Sequence, residues 1–270
     1  MNEYDKKKEV LQTNLLKYVN QDTMVAFSGG VDSSLLLKLV CQAAETTGRQ
    51  VYAVTMQTKL HPVMELENAE KVALEIGAKH LVIQVDELLE AGIEQNPKDR
   101  CYLCKKRLFV KMKTEAERLQ IHTILDGTNE DDLHVYRPGL RALKELGIVS
   151  PLADAGFTKA EVRMLAKECG LSVSSRPAMP CLATRFPYGT RLSYEELQKV
   201  EQGEEALRAM GFYNVRLRIY DQLVRIEVDK ADFEKILSCS EVVVEQVKAL
   251  GYSYVTLDLE GFRSGSMDIF

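Results

Sequence analysis

The sequence predicts an α/β protein: a doubly wound parallel sheet, followed by a small C-terminal α+β domain. Three observations support this prediction. Four short apolar runs alternate with helical patterns in the first half of the chain. A glycine-rich turn joins the first of these runs to a long apolar helix, as at the ligand-binding edge of open α/β sheets. Towards the C-terminus the pattern becomes a helix, a hairpin, a second helical region and a last strand.

The elements of the first half follow from periodicity and from glycine stops. Apolar residues at helical spacing predict each helix, and short aliphatic runs predict each strand. Gly48, Gly77 and Gly170 end three of the helices, and Thr158 with Glu161 forms a capping box that opens the last one. The predicted elements are helix 5–20, strand 23–27, helix 33–46, strand 51–55, helix 62–76, strand 80–85, helix 103–119, strand 121–125 and helix 159–169.

An irregular segment separates this half from the C-terminal elements. Residues 172–192 hold three prolines and three arginines without a helical period. Long irregular segments in compact proteins are functional or disordered, and the apolar residues here favour a functional loop. The elements predicted beyond it are helix 193–210, strand 215–220, strand 223–228, helical region 230–250 and strand 252–259.

Length and composition limit the class of protein. The 270 residues are enough for one large domain or two smaller ones, with a core that needs no disulfides. The net charge of −5 gives no overall attraction to nucleic acid or membranes. The polar first residues predict no secretory signal, so we expect a cytoplasmic protein whose six cysteines form no structural disulfides.

The turn at residues 28–34, Ser-Gly-Gly-Val-Asp-Ser-Ser, is the strongest motif of the chain. Gly29 and Gly30 let backbone N–H groups approach an anion, and the positive end of the following helix helps to hold it. The hydroxyl donors of the turn are Ser28, Ser33 and Ser34. Asp32 does not suit a site that only binds anions, because a carboxylate beside phosphates indicates a bridging Mg²⁺.

Two other phosphate loops are excluded by their missing residues. The Walker A pattern requires a lysine that this turn lacks, and the dinucleotide fingerprint requires three spaced glycines. The turn instead resembles the pyrophosphate loop of ATP pyrophosphatases, which cleave ATP between the α- and β-phosphates and adenylate a substrate. In such enzymes the loop after the fourth strand, here residues 126–132 with Gly127, lies beside the nucleotide, although these residues also suit a solvated turn.

Three cysteines are candidates for chemistry. Cys101 and Cys104 form a Cys-x-x-Cys pair, whose spacing suits a metal, a cluster or a redox pair. No second pair follows at zinc-site spacing. Cys181 lies in the irregular segment between prolines and arginines. Three thiolates suit three irons of a 4Fe–4S cluster whose fourth iron stays open, whereas Cys181 alone suits a nucleophile or sulfur donor.

Four segments together resemble the LarE family over the whole chain. They are residues 28–34, residues 100–105 (Arg-Cys-Tyr-Leu-Cys-Lys), residues 177–183 (Pro-Ala-Met-Pro-Cys-Leu-Ala) and residues 258–266 (Asp-Leu-Glu-Gly-Phe-Arg-Ser-Gly-Ser). The family contains ATP-dependent sulfur transferases that build the nickel-pincer cofactor of lactate racemase. The resemblance implies that MgATP adenylates the carboxylates of pyridinium-3,5-biscarboxylic acid mononucleotide, which then become thiocarboxylates. It also implies a homo-oligomer.

The resemblance leaves two sulfur sources open. In one branch the cysteine matching Cys181 gives up its own sulfur and becomes dehydroalanine. That branch lacks the Cys-x-x-Cys pair, which is present here, so the resemblance favours a 4Fe–4S cluster held by Cys101, Cys104 and Cys181. Sulfide, or another sulfur donor, would then be a further partner.

The C-terminal domain is expected to hold the substrate phosphate. Arg216 and Arg218 alternate onto one face of their strand, and such a pair suits a phosphate. The resemblance favours Arg216 and Glu227 as site residues. Glu227 and Glu204 are candidates for binding a metal or for positioning the substrate. A solvated strand face is the alternative for these residues. The remaining candidates, with less support, are Arg263, Ser264 and Ser266.

The expected organisation is an ATP-binding domain over 1–175, a functional connecting loop over 176–192 and a substrate or oligomerisation domain over 193–270. Two further hypotheses stay open besides the two sulfur sources. One is a cluster-dependent tRNA thiolase, although the negative net charge makes nucleic acid an unlikely partner. The other is a nucleotide-binding module without catalysis. We expect no membrane partner, because no run is long enough to span a bilayer.

Overall fold

The strands of the first half form a parallel sheet in which β1 occupies a central position. The computed structural model describes residues 2–135, 137–175, 181–263 and 265–267. Among these, four strands pair in the order β3-β2-β1-β4, all parallel. The strands are β1 (Thr23–Ala26), β2 (Val51–Gln57), β3 (Lys79–Gln84) and β4 (Thr123–Leu125). The order reverses beside β1, as in a doubly wound sheet, and the predicted fold class is confirmed.

Helices cover both faces of this sheet. Met24 and Val25 are neighbours on β1, so their side chains point to opposite faces. Met24 packs in a cluster with Phe109, and Val25 packs in another with Leu36. The helices of this half are α1 (Glu3–Tyr18), α2 (Val31–Glu45), α3 (Val63–Ile76), α4 (Glu87–Glu90), α5 (Arg100–Arg118), α6 (Glu130–Leu133), α7 (Gly139–Leu146), α8 (Pro151–Asp154) and α9 (Lys159–Glu168). The short helices α4, α6, α7 and α8 were not predicted, because one or two turns give too few residues for a period.

The C-terminal elements form a second, smaller sheet. Its strands are β5 (Val215–Tyr220), β6 (Leu223–Val228) and β7 (Tyr254–Leu257). β5 and β6 form the predicted antiparallel hairpin, and β7 pairs in parallel with β6. The helices are α10 (Tyr194–Ala209), α11 (Phe233–Ser238) and α12 (Ser240–Ala249), with 3₁₀ turns at Ser172–Ser175, Leu182–Arg185 and Lys230–Asp232.

The helical region predicted over 230–250 consists of three pieces, the 3₁₀ turn Lys230–Asp232 and the helices α11 and α12. The helix breaks at Cys239, between α11 and α12. Ser238 Oγ donates to the Lys235 carbonyl at 2.7 Å, and Cys239 Sγ donates to the same carbonyl at 3.2 Å. Such local side-chain hydrogen bonds compete with the helical ladder and favour its end.

The chain divides into two compact units. The first comprises Met1–Thr58, Val63–Gly92 and Asp99–Met179, and the second comprises Lys59–Pro62, Ile93–Lys98 and Pro180–Phe270. Two short segments far from the C-terminus therefore belong to the second unit: Leu182 N–H donates to the Leu60 carbonyl at 2.8 Å, and Leu192 N–H donates to the Glu94 carbonyl at 2.7 Å.

None of the helices in the described part of the chain is both long enough and apolar enough to span a membrane.

Candidate nucleotide, cysteine and arginine sites

The turn between β1 and α2 is shaped by backbone contacts. Gly29 has φ of +72°, a left-handed conformation that favours glycine, and a Cβ there would lie 2.8 Å from the Ala69 Cα. Asn68 Nδ2 donates to the Gly29 carbonyl at 3.0 Å, which fixes the turn against α3. Gly30 is the N-cap of α2 and supplies no capping side chain. The start of α2 is therefore available to an anion.

The serine hydroxyls of the turn have different environments. Ser33 Oγ accepts from Ser28 N–H at 3.2 Å and lies 3.2 Å from Gly30 O, to which it donates. Ser34 is fully buried in the first helical turns, and its Oγ has no hydrogen-bond partner among the described residues. A buried hydroxyl without a partner is costly, so a ligand group that bonds to it would be stabilising. This fits the phosphate site that the sequence predicts.

Asp32, the carboxylate of the turn, is held by two partners. Asn129 Nδ2 donates to Asp32 Oδ1 at 3.0 Å, and the Lys159 ammonium forms a very short contact with Asp32 Oδ2. Lys159 is the first residue of α9, and its N–H donates to Asp131 Oδ2 at 2.9 Å. The sequence predicted only a cap at the start of α9, so Lys159 was not a site candidate, whereas Asn129 belongs to the 126–132 loop that was predicted to lie beside the nucleotide. One feature of the sequence could have pointed to Lys159. A lysine at the first position of a helix is disfavoured by the helix dipole, so its presence there suggests another role.

The loop after β4 packs directly on the start of α2. A Cβ on Gly127 would lie 2.8 Å from Ser33 N, a distance that backbone atoms cannot accommodate. Asp126 Oδ1 accepts from Thr128 N–H at 3.0 Å and from Ser150 Oγ at 2.9 Å, which closes the loop. The structure thus brings Gly127 and the pyrophosphate loop together within the first unit.

The Cys-x-x-Cys pair occupies the first turn of α5. Cys101 is exposed and Cys104, one turn on, is half-buried. Lys105 Nζ lies 3.4 Å from Asp126 Oδ2, so this end of α5 is tied to the loop after β4. A one-turn spacing places both sulfurs on one helix face, which suits two ligands of one metal or cluster. Among the described residues, however, no three His, Cys, Asp or Glu side chains are grouped to hold a metal, so the three-cysteine site stays a prediction.

Two further cysteines, Cys41 on α2 and Cys169 at the end of α9, are half-buried. Burial raises the pKa of the Cys41 thiol to about 11 and also raises that of Cys169. Both thiols are therefore poor nucleophiles.

In the second unit, Cys181 begins a tightly bonded turn. Its carbonyl accepts from Thr184 Oγ1 at 2.8 Å and from the Arg185 guanidinium at 3.2 Å. Arg185 is fully buried and makes a two-pronged ion pair with Glu204, with both N–O distances 2.8 Å. Burial alone would raise the pKa of Glu204, but the guanidinium groups, Arg185 foremost, lower it. Glu204 therefore fixes the turn that carries Cys181 and stays ionised.

The face of β5 that the sequence predicted to hold a phosphate is buried. Arg218 donates to Glu227 Oε2 at 2.8 Å and to the Thr184 carbonyl at 2.9 Å. Arg216 is 5% exposed and donates only to its neighbour's carbonyl at 2.7 Å, and among the described residues no carboxylate forms an ion pair with it. Burial, followed by repulsion from Arg185, lowers the pKa of Arg216 to about 10. Of the predicted residues, Arg216 thus offers the buried cation that an anion would stabilise.

Of the three C-terminal candidates, Ser266 contacts the buried charged side chains and Arg263 contacts a different carboxylate. Ser266 Oγ donates to Glu227 Oε1 at 2.7 Å, and Arg263 lies 3.2 Å from Asp258. Ser264 and residues 177–180 of the predicted cysteine segment lie outside the described residues.

Comparisons with known proteins agree with this architecture. A family model described as NAD synthase matches residues 3–119, which include the pyrophosphate loop and the cysteine pair. The pyridinium-3,5-bisthiocarboxylic acid mononucleotide synthase of Lactiplantibacillus plantarum is 39% identical over 92% of this chain and 89% of its own length. The chain belongs to the LarE family. An uncharacterized Synechocystis protein is 38% identical over 91% of each chain.

More distant relatives match a smaller share of the chain. The tRNA-specific 2-thiouridylase of Treponema denticola is 28% identical over 57% of this chain and 51% of its own length. The LarE-family chain therefore has a pyrophosphate-loop fold in common with tRNA thiolases, whereas its similarity to the L. plantarum synthase continues through the C-terminal unit.

Proposed function

We propose that the chain is an ATP-dependent sulfur transferase that converts carboxylates of pyridinium-3,5-biscarboxylic acid mononucleotide to thiocarboxylates, for the nickel-pincer cofactor. The observation that carries the proposal is the nearly full-length similarity to a synthase whose name states the bisthiocarboxylic product. The pyrophosphate loop and the buried Arg216 support it, because one suits ATP and the other suits a substrate phosphate.

The first step is activation of a carboxylate, whose oxygen is a poor leaving group. The phosphates of MgATP would bind at the start of α2, with Ser34 Oγ as a donor and Asp32 facing the Mg²⁺. Lys159 would then exchange its contact with Asp32 for a phosphate oxygen. A substrate carboxylate oxygen attacks the α-phosphorus, the bond to the β-phosphate oxygen breaks, and pyrophosphate leaves with that electron pair. The acyl adenylate now carries AMP as its leaving group.

The second step forms the carbon–sulfur bond. A sulfur nucleophile attacks the acyl carbon, and the bond to the AMP oxygen breaks. For the sulfur source we favour a 4Fe–4S cluster on Cys101, Cys104 and Cys181, in which an open iron would carry sulfide. The support is the one-turn spacing of Cys101 and Cys104 on α5. The role of this chain's own residues is to hold Cys181 in its turn through Arg185 and Glu204.

The alternative is that Cys181 donates its own sulfur. Its thiolate would form a thioester with the acyl group, AMP would leave, and loss of the Cα proton would break the Cβ–Sγ bond. The products are a thiocarboxylate and dehydroalanine at position 181, so the chain would act once per sulfur. Cys101 and Cys104 would then be structural or redox-active.

The decisive experiment is anaerobic purification followed by absorption spectroscopy and assays of iron and acid-labile sulfide. We expect a broad band near ~400 nm and about four irons per chain. The band should disappear in Cys101→Ala, Cys104→Ala and Cys181→Ala but persist in the control Cys239→Ala. An iron-free protein that resists anaerobic reconstitution contradicts the cluster proposal. A mass loss of about 34 Da after turnover, one H₂S leaving a cysteine, would then identify the Cys181 route.

A tRNA thiolase is the second candidate, favoured by the similarity to the Treponema thiouridylase. The two candidate functions differ in the substrate that stimulates AMP formation, the mononucleotide or tRNA. We expect the mononucleotide to stimulate it and unmodified tRNA to have no effect, because the similarity to the Treponema thiouridylase covers only 57% of the chain and the net charge is −5. Stimulation by tRNA alone would reverse the choice.

A further inference from the structure

A chain of contacts in the first unit leads from the N-terminal helix to the carboxylate of the pyrophosphate loop. Lys7 on α1 contacts Glu161 on α9, Glu161 caps the start of α9, and Lys159 at that start contacts Asp32. We propose that Lys7 and Glu161 are positioning residues, which hold the Lys159 ammonium where ATP phosphates bind. The proposal rests on the phosphate-binding role given above to Lys159.

The contact between Lys7 and Glu161 is well formed. Lys7 Nζ donates to both carboxylate oxygens of Glu161, each at 2.9 Å, and the two side chains are only 19% and 20% exposed. A Cβ on Gly156 would lie 3.7 Å from Lys7 Cε, so the lysine stem reaches the turn that precedes α9. Partial burial reduces screening by solvent, so this pair is expected to matter more than an exposed ion pair.

Glu161 has a second role at the helix start. Its Oε2 accepts from Thr158 N–H at 2.8 Å and from Thr158 Oγ1 at 2.9 Å, as in a capping box. Burial alone would raise the pKa of Glu161, but the Thr158 backbone and then Lys7 lower it, so the carboxylate stays charged. One carboxylate therefore joins α1 to the cap that immediately precedes Lys159.

The start of α9 leaves Lys159 little backbone freedom. The cap fixes the residue before it, and the Lys159 N–H donates to Asp131 at 2.9 Å. The Lys159 side chain is 35% exposed, so its ammonium can turn from Asp32 to a ligand while its backbone stays in place. Small displacements of a positioning group are costly to reaction rates, and loss of the Lys7 contact is expected to loosen this anchor.

Lys8 provides a matched control. It lies next to Lys7 on the same helix and its ion pairs are with Asp5 and Glu168, at 3.5 Å. Glu168 is the last residue of α9, at the opposite end from Lys159. Lys8→Met therefore removes the same charge without loosening the helix start.

The experiment measures binding of MgATP and of magnesium pyrophosphate by calorimetry, together with substrate-dependent pyrophosphate release. We expect Lys7→Met to weaken both ligands roughly fivefold, the size of a good ion pair. Lys7→Arg should restore binding and Lys8→Met should leave it unchanged. Glu161→Gln keeps a capping acceptor but loses the charge, so it should resemble Lys7→Met.

A double-mutant cycle separates positioning from general stability. If Lys7 acts through Lys159, Lys7→Met adds no further loss to Lys159→Met. The proposal is overturned if Lys7→Met weakens binding as much in Lys159→Met as it does in the wild type. It is also overturned if Lys7→Met alone binds both ligands as tightly as the wild type. Wild-type protein that binds MgATP but releases no pyrophosphate with the mononucleotide contradicts the proposed function, while the binding data still decide the role of Lys7. Wild-type protein that binds neither ligand contradicts both.

Discussion

The two units of this chain arrange polar groups in opposite ways. In the first unit the candidate site consists mainly of backbone N–H groups and hydroxyls at the start of α2, with one carboxylate, Asp32, that a lysine neutralises. In the second unit the site consists of buried charged side chains, in which Arg185 pairs with Glu204 and Arg218 pairs with Glu227. A backbone site depends on a short contiguous segment, whereas a side-chain network depends on every partner at once.

The largest expected effect is on the side-chain network. Glu204→Gln would leave the buried Arg185 without its countercharge, and breaking such a pair costs about 3 kcal/mol or more. Urea unfolding followed by circular dichroism should show a clear loss of stability. Glu205→Gln, at the exposed neighbouring position, is the control. Equal midpoints for the two variants would show that the network is not stabilising.

The next effect tests the backbone site. Asp32→Ala should reduce substrate-dependent pyrophosphate release about a hundredfold, because the carboxylate proposed to face the Mg²⁺ that offsets phosphate charge is lost. MgATP binding should fall much less, since the backbone donors remain. Asp22→Ala, next to the other end of β1, is the control. If release and binding fall in proportion, the chain is better described as a nucleotide-binding module.

A smaller effect tests the close packing of the loop after β4. In Gly127→Ala the new Cβ would lie 2.8 Å from Ser33 N, so the start of α2 must shift. We expect about tenfold weaker MgATP binding, in line with the cost of overpacking. Gly48→Ala is the control, because it imposes backbone strain at φ of +66° but meets no atom within 4 Å. Unchanged calorimetric affinity in Gly127→Ala would show that this contact does not shape the site.

The smallest effect is a pH dependence in the second unit. The folded state lowers the pKa of Glu204 from its ordinary value of 4.5. Its ionised pair therefore contributes stability above that value, and the contribution is lost as the pH falls through the lowered pKa. The stability difference between wild type and Glu204→Gln should therefore narrow on acidification through the lowered pKa of Glu204. Urea midpoints at several pH values measure it, and a difference that widens in acid contradicts the assignment.

The sequence predicted the local structure of the first unit better than the side-chain pairing of the second, because of the range of the interactions involved. The strands, the glycine turn and the capping box of Thr158 with Glu161 all depend on residues a few positions apart, and the structure contains them. For Arg216 and Arg218 the alternation predicted a shared face of β5. It gave no indication that Arg218 would be paired with Glu227 while Arg216 has no ion pair among the described residues.

The sequence by itself determined the fold class, the pyrophosphate loop and membership of the LarE family, because these follow from local patterns and from motifs in fixed order. Only the tertiary structure decided that Lys159 faces Asp32 across 127 positions, and that Lys7 contacts Glu161 across 154. The physical reason is that hydrogen bonding along the backbone is fixed by neighbouring residues. The partner of a charged side chain is fixed by packing, which brings distant segments together and leaves no trace in either segment alone.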